Sequence, residues 1–330
     1  MKEISTNFIR AKIVESTHKV KVLITDLNGN KIFSTNSEND YIFPRSAIKI
    51  FQAVPFACSN APHLYKLNSK KIALSCSSHR GEKFHIRELE SWVKKIKVNK
   101  NILKCGIHNP LNQKASEKLF RSNEFANELH NNCAGKHLAM ITSCLINKFN
   151  TKNYLNFEHP HQKMIRKVYE DFNNKKINKK NYGIDGCSAP QYAFKIKDIA
   201  KMLCNLIKSY DGNYKYSEEV NLLINSVFKN PKYIGGTNSF DSNLMTILNK
   251  KIFCKGGAEG VFLFTDLKNG IAGVIKVIDG NERAIPSVCY ELFKKFKILN
   301  NLELKKFRKL DNFKLINHAK IVTGSTKTNI

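Results

Sequence analysis

Hydrophobic and polar positions fall into three regimes along the chain. Near residues 11–35 they alternate. Val20-Lys21-Val22-Leu23-Ile24-Thr25 runs to a polar turn at Asp26-Leu27-Asn28-Gly29-Asn30, and Lys31-Ile32-Phe33-Ser34 returns. That period of two predicts a β-hairpin. Behind a proline-led approach, Phe43-Pro44-Arg45, the residues Ile48, Ile50, Phe51, Ala53, Val54, Phe56 and Ala57 leave almost no polar face. A helix apolar all round is buried, so 45–57 is expected to form a core helix.

From about 60 to 230 the period becomes helical, with patches near 85–97, 114–129, 136–148, 161–173, 195–210 and 216–227. Lys-Asn runs such as Asn173-Asn174-Lys175-Lys176 read as exposed loops between them. Strand patterns return at Lys251-Ile252-Phe253-Cys254-Lys255, which stops at Gly256-Gly257. Val261–Phe264 and Ile271–Val277 flank a turn at Asp266–Gly270 and predict an antiparallel pair. A helix over 284–297 closes the core, and the last ten or so residues read as a loose tail. Two N-terminal and three C-terminal strands are expected to make one five-stranded antiparallel sheet flanked by helices, an α/β (α+β) fold with a large helical insertion. This predicts a single domain over 1–330, with sheet elements at about 10–57 and 250–300 and a helical region at about 60–230.

Composition narrows the class. Hydrophobic residues make up 42%, enough for a folded core. No apolar run reaches the roughly 18 residues of a membrane span, and Met1-Lys2-Glu3-Ile4-Ser5-Thr6-Asn7 lacks an apolar signal core, so a cytoplasmic protein is expected. Nine scattered cysteines then read as thiols, metal ligands or catalytic groups rather than disulfides. The net charge of +28 raises a basic nucleic-acid-binding protein as an alternative. The lysines are spread along the whole chain among asparagines, however, and no nucleic-acid motif accompanies them.

The chemistry starts at Ser46-Ala47-Ile48-Lys49, a hydroxyl and an amine three positions apart on one helical face. A lysine made neutral by burial can take the serine proton, as in serine-lysine amidohydrolases and penicillin-recognising enzymes. Three other Ser-x-x-Lys matches begin at Ser16, Ser91 and Ser226. Ser16 lies in a strand-like segment, Ser91 on a charged surface helix, and Ser226 near a helix end before Pro231. Only Ser46 opens a buried helix. The Lys255-Gly256-Gly257 strand partly matches the Lys-[Ser/Thr]-Gly strand of the β-lactamase/transpeptidase fold, with Gly256 at the hydroxyl position.

Three more segments complete a pattern: Cys76-Ser77-Ser78-His79-Arg80-Gly81-Glu82, His130-Asn131-Asn132-Cys133-Ala134-Gly135-Lys136-His137, and Gly183-Ile184-Asp185-Gly186-Cys187-Ser188-Ala189-Pro190. With Pro44–Lys49 and Lys255–Gly260 they resemble the thermolabile, rhizobial-type L-asparaginase family over about residues 10–290. The resemblance implies a β-lactamase-like fold and hydrolysis of L-asparagine to L-aspartate and ammonia. It implies two Ser-Lys pairs, Ser46 with Lys49 and Ser78 with Lys255, Ser46 being the expected nucleophile and Ser78 a relay or alternative. It further implies a Zn(2+) site of Cys133, Lys136 and Cys187, a set whose soft sulfurs suit zinc. Asp185 and His137 would orient those ligands, and Arg45 would meet the substrate carboxylate or a water on the metal. A homodimer is implied as well. His79, His85, His108, His159 and His161 read as solvated or satisfied side chains rather than ligands. Arg80 stands where a smaller residue is expected. The competing enzyme reading is a penicillin-recognising acyltransferase or β-lactamase, against which stands the absence of a Ser-Asp-Asn motif.

Overall fold

The computed structural model describes residues 3–311 and 313–330. In chain order its strands are β1 (Ile4–Arg10), β2 (Ile13–Thr25), β3 (Lys31–Ser34), β4 (Tyr41–Ile42), β5 (Tyr182–Ile184) and β6 (Pro190–Tyr192). Then come β7 (Phe194–Lys195), β8 (Ile252–Gly257), β9 (Val261–Asp266), β10 (Ile271–Val277), β11 (Lys314–Ile316) and β12 (Val322–Asn329). The helices begin with α1 (Lys49–Cys58), α2 (Ala61–Leu64), α3 (Ser69–Ser75), α4 (Lys83–Lys95), α5 (Gln113–Arg121) and α6 (Ala134–Ile146). They continue with α7 (Pro160–Asn173), α8 (Ile196–Tyr210), α9 (Ser217–Lys229), α10 (Lys232–Gly235), α11 (Phe240–Leu248), α12 (Ile285–Lys295) and α13 (Asn301–Leu310). Two compact units divide them: a sheet unit of Met1–Ala47, Phe194–Ile207 and Asn243–Ile330, and a helical unit of Ile48–Ala193 and Lys208–Ser242.

The sheet unit holds the expected antiparallel sheet, in the order β11-β12-β1-β2-β10-β9-β8 with β3 also on β2. Val22, Leu23, Ile24 and Thr25 are buried without interruption because both faces of β2 are covered there. Phe264 of β9 meets Phe293 of α12 edge-on at 4.8 Å, and Thr25 contacts Cys204 of α8 at 3.4 Å.

This sheet has eight strands where five were expected, and the extra ones explain the misread ends. Residues 322–329 are a strand rather than a loose tail, paired from Ser5↔Asn329 to Ile9↔Ser325. Its sequence, Val-Thr-Gly-Ser-Thr-Lys-Thr-Asn, carries little hydrophobic signal, but threonine suits a pleated, half-exposed surface. Strand β1 hides its period in the same way. Its inward positions are Ile4, Thr6 and Phe8, and the buried Thr6 hydroxyl is satisfied by Thr328 at 2.8 Å. Strand β8 also runs on through Gly256 and Gly257 instead of stopping before them.

In the helical unit every residue of α1 from Lys49 to Ala57 is buried, as its unbroken apolar sequence requires. Helices α6, α7 and α9 pack around it, and α3 packs on α6 and α9. The patch expected over 114–129 stops at Arg121, where Ser122 and a left-handed Asn123 (φ +53°) end the helix. All nine cysteines are free thiols, eight of them buried. Among the described residues no helix is long and apolar enough to cross a membrane.

Candidate active site

Ser46 lies in a short 3-10 turn, Arg45–Ile48, that runs into α1, so it precedes the α-helix proper. Arg45 enters this turn at φ +52°. A non-glycine residue in that region carries local strain, which tends to collect at functional positions. Within the sheet unit, β8 passes close to the turn. A Cβ on Gly257 would stand 2.5 Å from the Pro44 carbonyl oxygen and 3.0 Å from the Ala47 nitrogen, so only glycine fits. Lys255, two residues earlier, shares that face of the strand. It is 5% exposed, and its Nζ donates to the Gly256 carbonyl at 2.8 Å.

The helical unit gathers the other candidates. Lys49 opens α1 fully buried, and its Nζ donates to the Ser77 carbonyl at 2.5 Å, Ser78 Oγ at 3.0 Å and Cys133 Sγ at 3.2 Å. A lysine–serine contact is therefore present, and it joins Lys49 to Ser78, one member from each of the two pairs that the family resemblance implies. The cause is the chain path after α3. Ser77 folds back onto the Leu74 carbonyl through its N–H (3.1 Å) and Oγ (2.8 Å). The Ser78 N–H then bonds the Ile234 carbonyl at 2.8 Å, holding this residue over the first turn of α1.

Cys133 sits just ahead of α6, its N–H donating to Asn131 Oδ1 at 2.9 Å. Lys136, one turn along, donates to Cys187 Sγ at 2.9 Å. Cys187 reaches this point from the tip of the β5–β6 hairpin. Its turn is closed by Ser188 N–H to the Asp185 carbonyl at 2.8 Å, with Ser188 left-handed at φ +66°. Asp185 Oδ2 lies 3.9 Å from Cys187 Sγ. His137 pairs through Nδ1 with the Tyr154 hydroxyl at 2.6 Å. No sequence signal singled out Tyr154 or the Ser77 carbonyl.

The charges explain the cluster's chemistry. A hydrogen bond from Cys133, helped by Lys136, draws Cys187 down to about 5 against the effect of burial. Cys133 rises to about 12 because that same bond and burial hold its proton. The bond between the two sulfurs thus pushes them in opposite directions, Cys187 toward the thiolate and Cys133 toward the thiol. Burial works against the Lys136 ammonium, but Cys187, Cys133 and Asp185 outweigh it and raise its pKa. Among the described residues no three His, Cys, Asp or Glu side chains gather as a metal site. The expected set instead consists of two sulfurs and an amine in one buried cluster. Those donors fit a thiophilic cation, which would displace the protons of Cys133 and Lys136 on binding.

The histidines read as solvated or satisfied divide differently. His79, His85, His159 and His161 are all buried. His85, His108 and His159 each use both ring nitrogens in hydrogen bonds. His79 uses only Nδ1, and neither ring nitrogen of His161 has a hydrogen-bond partner among the described residues.

Comparison with known proteins bears directly on this arrangement. The family model for L-asparaginase II matches residues 6–328. The chain belongs to the L-asparaginase II family. It is therefore an asparaginase-type amidohydrolase acting on a small molecule, as the spaced motifs led us to expect. No curated protein matches the chain. Among solved structures, this L-asparaginase II family member is similar to a "putative beta-lactamase" from Bacteroides dorei DSM 17855. The identity is 8% and the TM-score 0.35, over 83% of this chain and 85% of that one.

Proposed function

We propose that this protein converts L-asparagine to L-aspartate and ammonia by serine-lysine nucleophilic catalysis. The observation that carries the reading is the buried Lys49 amine 3.0 Å from Ser78 Oγ, in a chain of the L-asparaginase II family. The Lys49 Nζ donates to the Ser77 carbonyl, Ser78 Oγ and Cys133 Sγ, as an ammonium with its three N–H donors can. When Lys49 is neutral it has one donor fewer and a lone pair, and the Ser78 hydroxyl can then donate to it.

Ser46 is the nucleophile of this proposal, with Ser78 and Lys49 as its proton relay. As the Ser46 oxygen bonds the side-chain carbonyl carbon, its proton passes by way of Ser78 to Lys49. Backbone N–H groups, including that of Ser46, hold the oxyanion. The C–N bond then breaks and Lys49 returns the proton, so that ammonia leaves. Water attacks the resulting ester, its proton follows the same path, and Ser46 is restored as aspartate departs. Lys255 supplies positive charge beside the Ser46 turn, and Arg45 meets the substrate carboxylate.

Cys133, Lys136 and Cys187 would hold zinc, which supplies Lewis acidity toward a substrate oxygen when bound. Asp185 and His137 orient those ligands. We further propose a homodimer in the cytoplasm, a compartment in which nine free thiols persist.

Ammonia release from L-asparagine, with little from L-glutamine, tests the reading. Ser46→Ala should abolish turnover while Ser78→Ala slows it. Full activity of Ser46→Ala with none in Ser78→Ala would transfer the nucleophile to Ser78, and labelling of Ser46 by a fluorescent penicillin would favour the acyltransferase alternative. Purified protein should carry zinc near one per chain, lost in Cys187→Ser.

A further inference from the structure

One buried donor near Ser78 is unused by this scheme. His79 is completely buried, and its Nδ1 accepts the Gly81 N–H at 3.1 Å. A neutral imidazole whose Nδ1 accepts carries its proton on Nε2. Nε2 has no hydrogen-bond partner among the described residues. Turning the ring would give up the Gly81 bond or the stack on His85, whose ring centroid lies 5.2 Å away. His85 is itself fixed, accepting the Glu82 N–H at 3.2 Å and donating to the Lys232 carbonyl at 3.1 Å. An unsatisfied buried N–H costs about 1–3 kcal/mol, so such a group calls for an explanation. Burial holds the ring neutral, with His85 and Lys49 reinforcing the effect. An uncharged donor in the field of the buried Lys49 is suited to an acceptor oxygen that is itself negative.

We propose that the Nε2–H of His79 is a substrate-binding donor, left without a partner among the described residues because it donates to a carboxylate oxygen of the amino-acid ligand. The inference rests on the asparaginase reading for the identity of that ligand. Two substitutions separate the ring's two nitrogens. His79→Asn keeps an acceptor where Nδ1 lies and so keeps the Gly81 bond, but removes the Nε2 donor. His79→Gln keeps a donor near Nε2 and loses the Gly81 bond.

The test measures KM and kcat for L-asparagine in both variants. Alongside it, L-aspartate is titrated into histidine-labelled full-length protein while the His79 ring N–H is followed by NMR. We expect KM to rise about tenfold to hundredfold in His79→Asn, partial rescue in His79→Gln with KM at least severalfold lower, and a downfield move of the Nε2–H signal with aspartate. Wild-type KM in His79→Asn, or an Nε2–H signal that ignores aspartate, overturns the proposal. If wild-type protein releases no ammonia, the asparaginase reading fails, while the aspartate titration still decides whether His79 binds a carboxylate.

Discussion

Gly135→Ala should cripple the protein even though alanine is the better helix former. In an exposed helix the change would stabilise by about 1 kcal/mol. Here the new Cβ would stand 2.1 Å from the Leu74 carbonyl oxygen and 2.7 Å from its carbon. Ordinary contact begins near 3.4 Å, so α6 and α3 must part by roughly 1 Å. Overpacking of this kind costs about 1–3 kcal/mol. The Leu74 carbonyl also receives both the Ser77 N–H and the Ser77 Oγ, so their bonds are disturbed as well, at about 1 kcal/mol each. We expect a net loss of about 2–5 kcal/mol, offset little by helix propensity. For a chain of this length that lowers Tm by roughly 3–7 °C. Activity should fall further than stability, because Ser77 leads into Ser78 and Lys136 follows Gly135, and a shift of about 1 Å can cost about 100-fold in rate. Thermal melting followed by circular dichroism, with ammonia release on the folded fraction, measures both. A variant with unchanged or higher Tm and wild-type turnover would refute the packing argument.

Other outcomes follow from the same reasoning. Gly257→Ala should leave the protein folded but lower turnover at least tenfold, since its Cβ presses on the turn that carries Ser46; normal kinetics would contradict this. Lys71, 2% exposed, meets Glu88 at 2.5 Å and holds that carboxyl low although burial works the other way. Lys71→Met should therefore cost about 2–4 kcal/mol in urea unfolding, and adding Glu88→Leu should recover much of it. Burial depresses His161 to about 3, so between pH 6.5 and 3 the unfolded chain binds a proton that the folded one refuses, and stability falls as pH falls. His161→Phe should remove up to about 1.4 kcal/mol per pH unit from that slope; equal acid sensitivity of variant and parent would show that His161 titrates elsewhere.

Legibility in the sequence followed the amount of hydrophobic contrast. Helix α1 and the β9–β10 hairpin were readable because apolar residues dominate them. Strands β1 and β12 were not, since their inward positions include threonines that need a partner strand to show their period. The candidate residues were named by the family resemblance, and Cys133, Lys136 and Cys187 do gather in one buried cluster. The contact between Lys49 and Ser78 could not be read, because it depends on a backbone reversal at Ser77 and on a bond to the distant Ile234 carbonyl. His79 was misjudged for a related reason. Nothing local to Ser-His-Arg-Gly-Glu says that a histidine among charged residues will be wholly enclosed.

The pairing of β1 with β12 also dictates when the fold can be finished. On synthesis β1 obtains β2 almost at once, yet its other edge waits until residues 322–329 have been made. Until then the nascent sheet presents an open row of backbone donors and acceptors beside Phe8 and Ile9. Such an edge can recruit any passing strand, and closing it requires a contact between residues as far apart in sequence as Ser5 and Asn329, a slow class of event. The eight-residue strand β12 acts as a seal, and a chain that stalls before residue 322 leaves the β1 edge open.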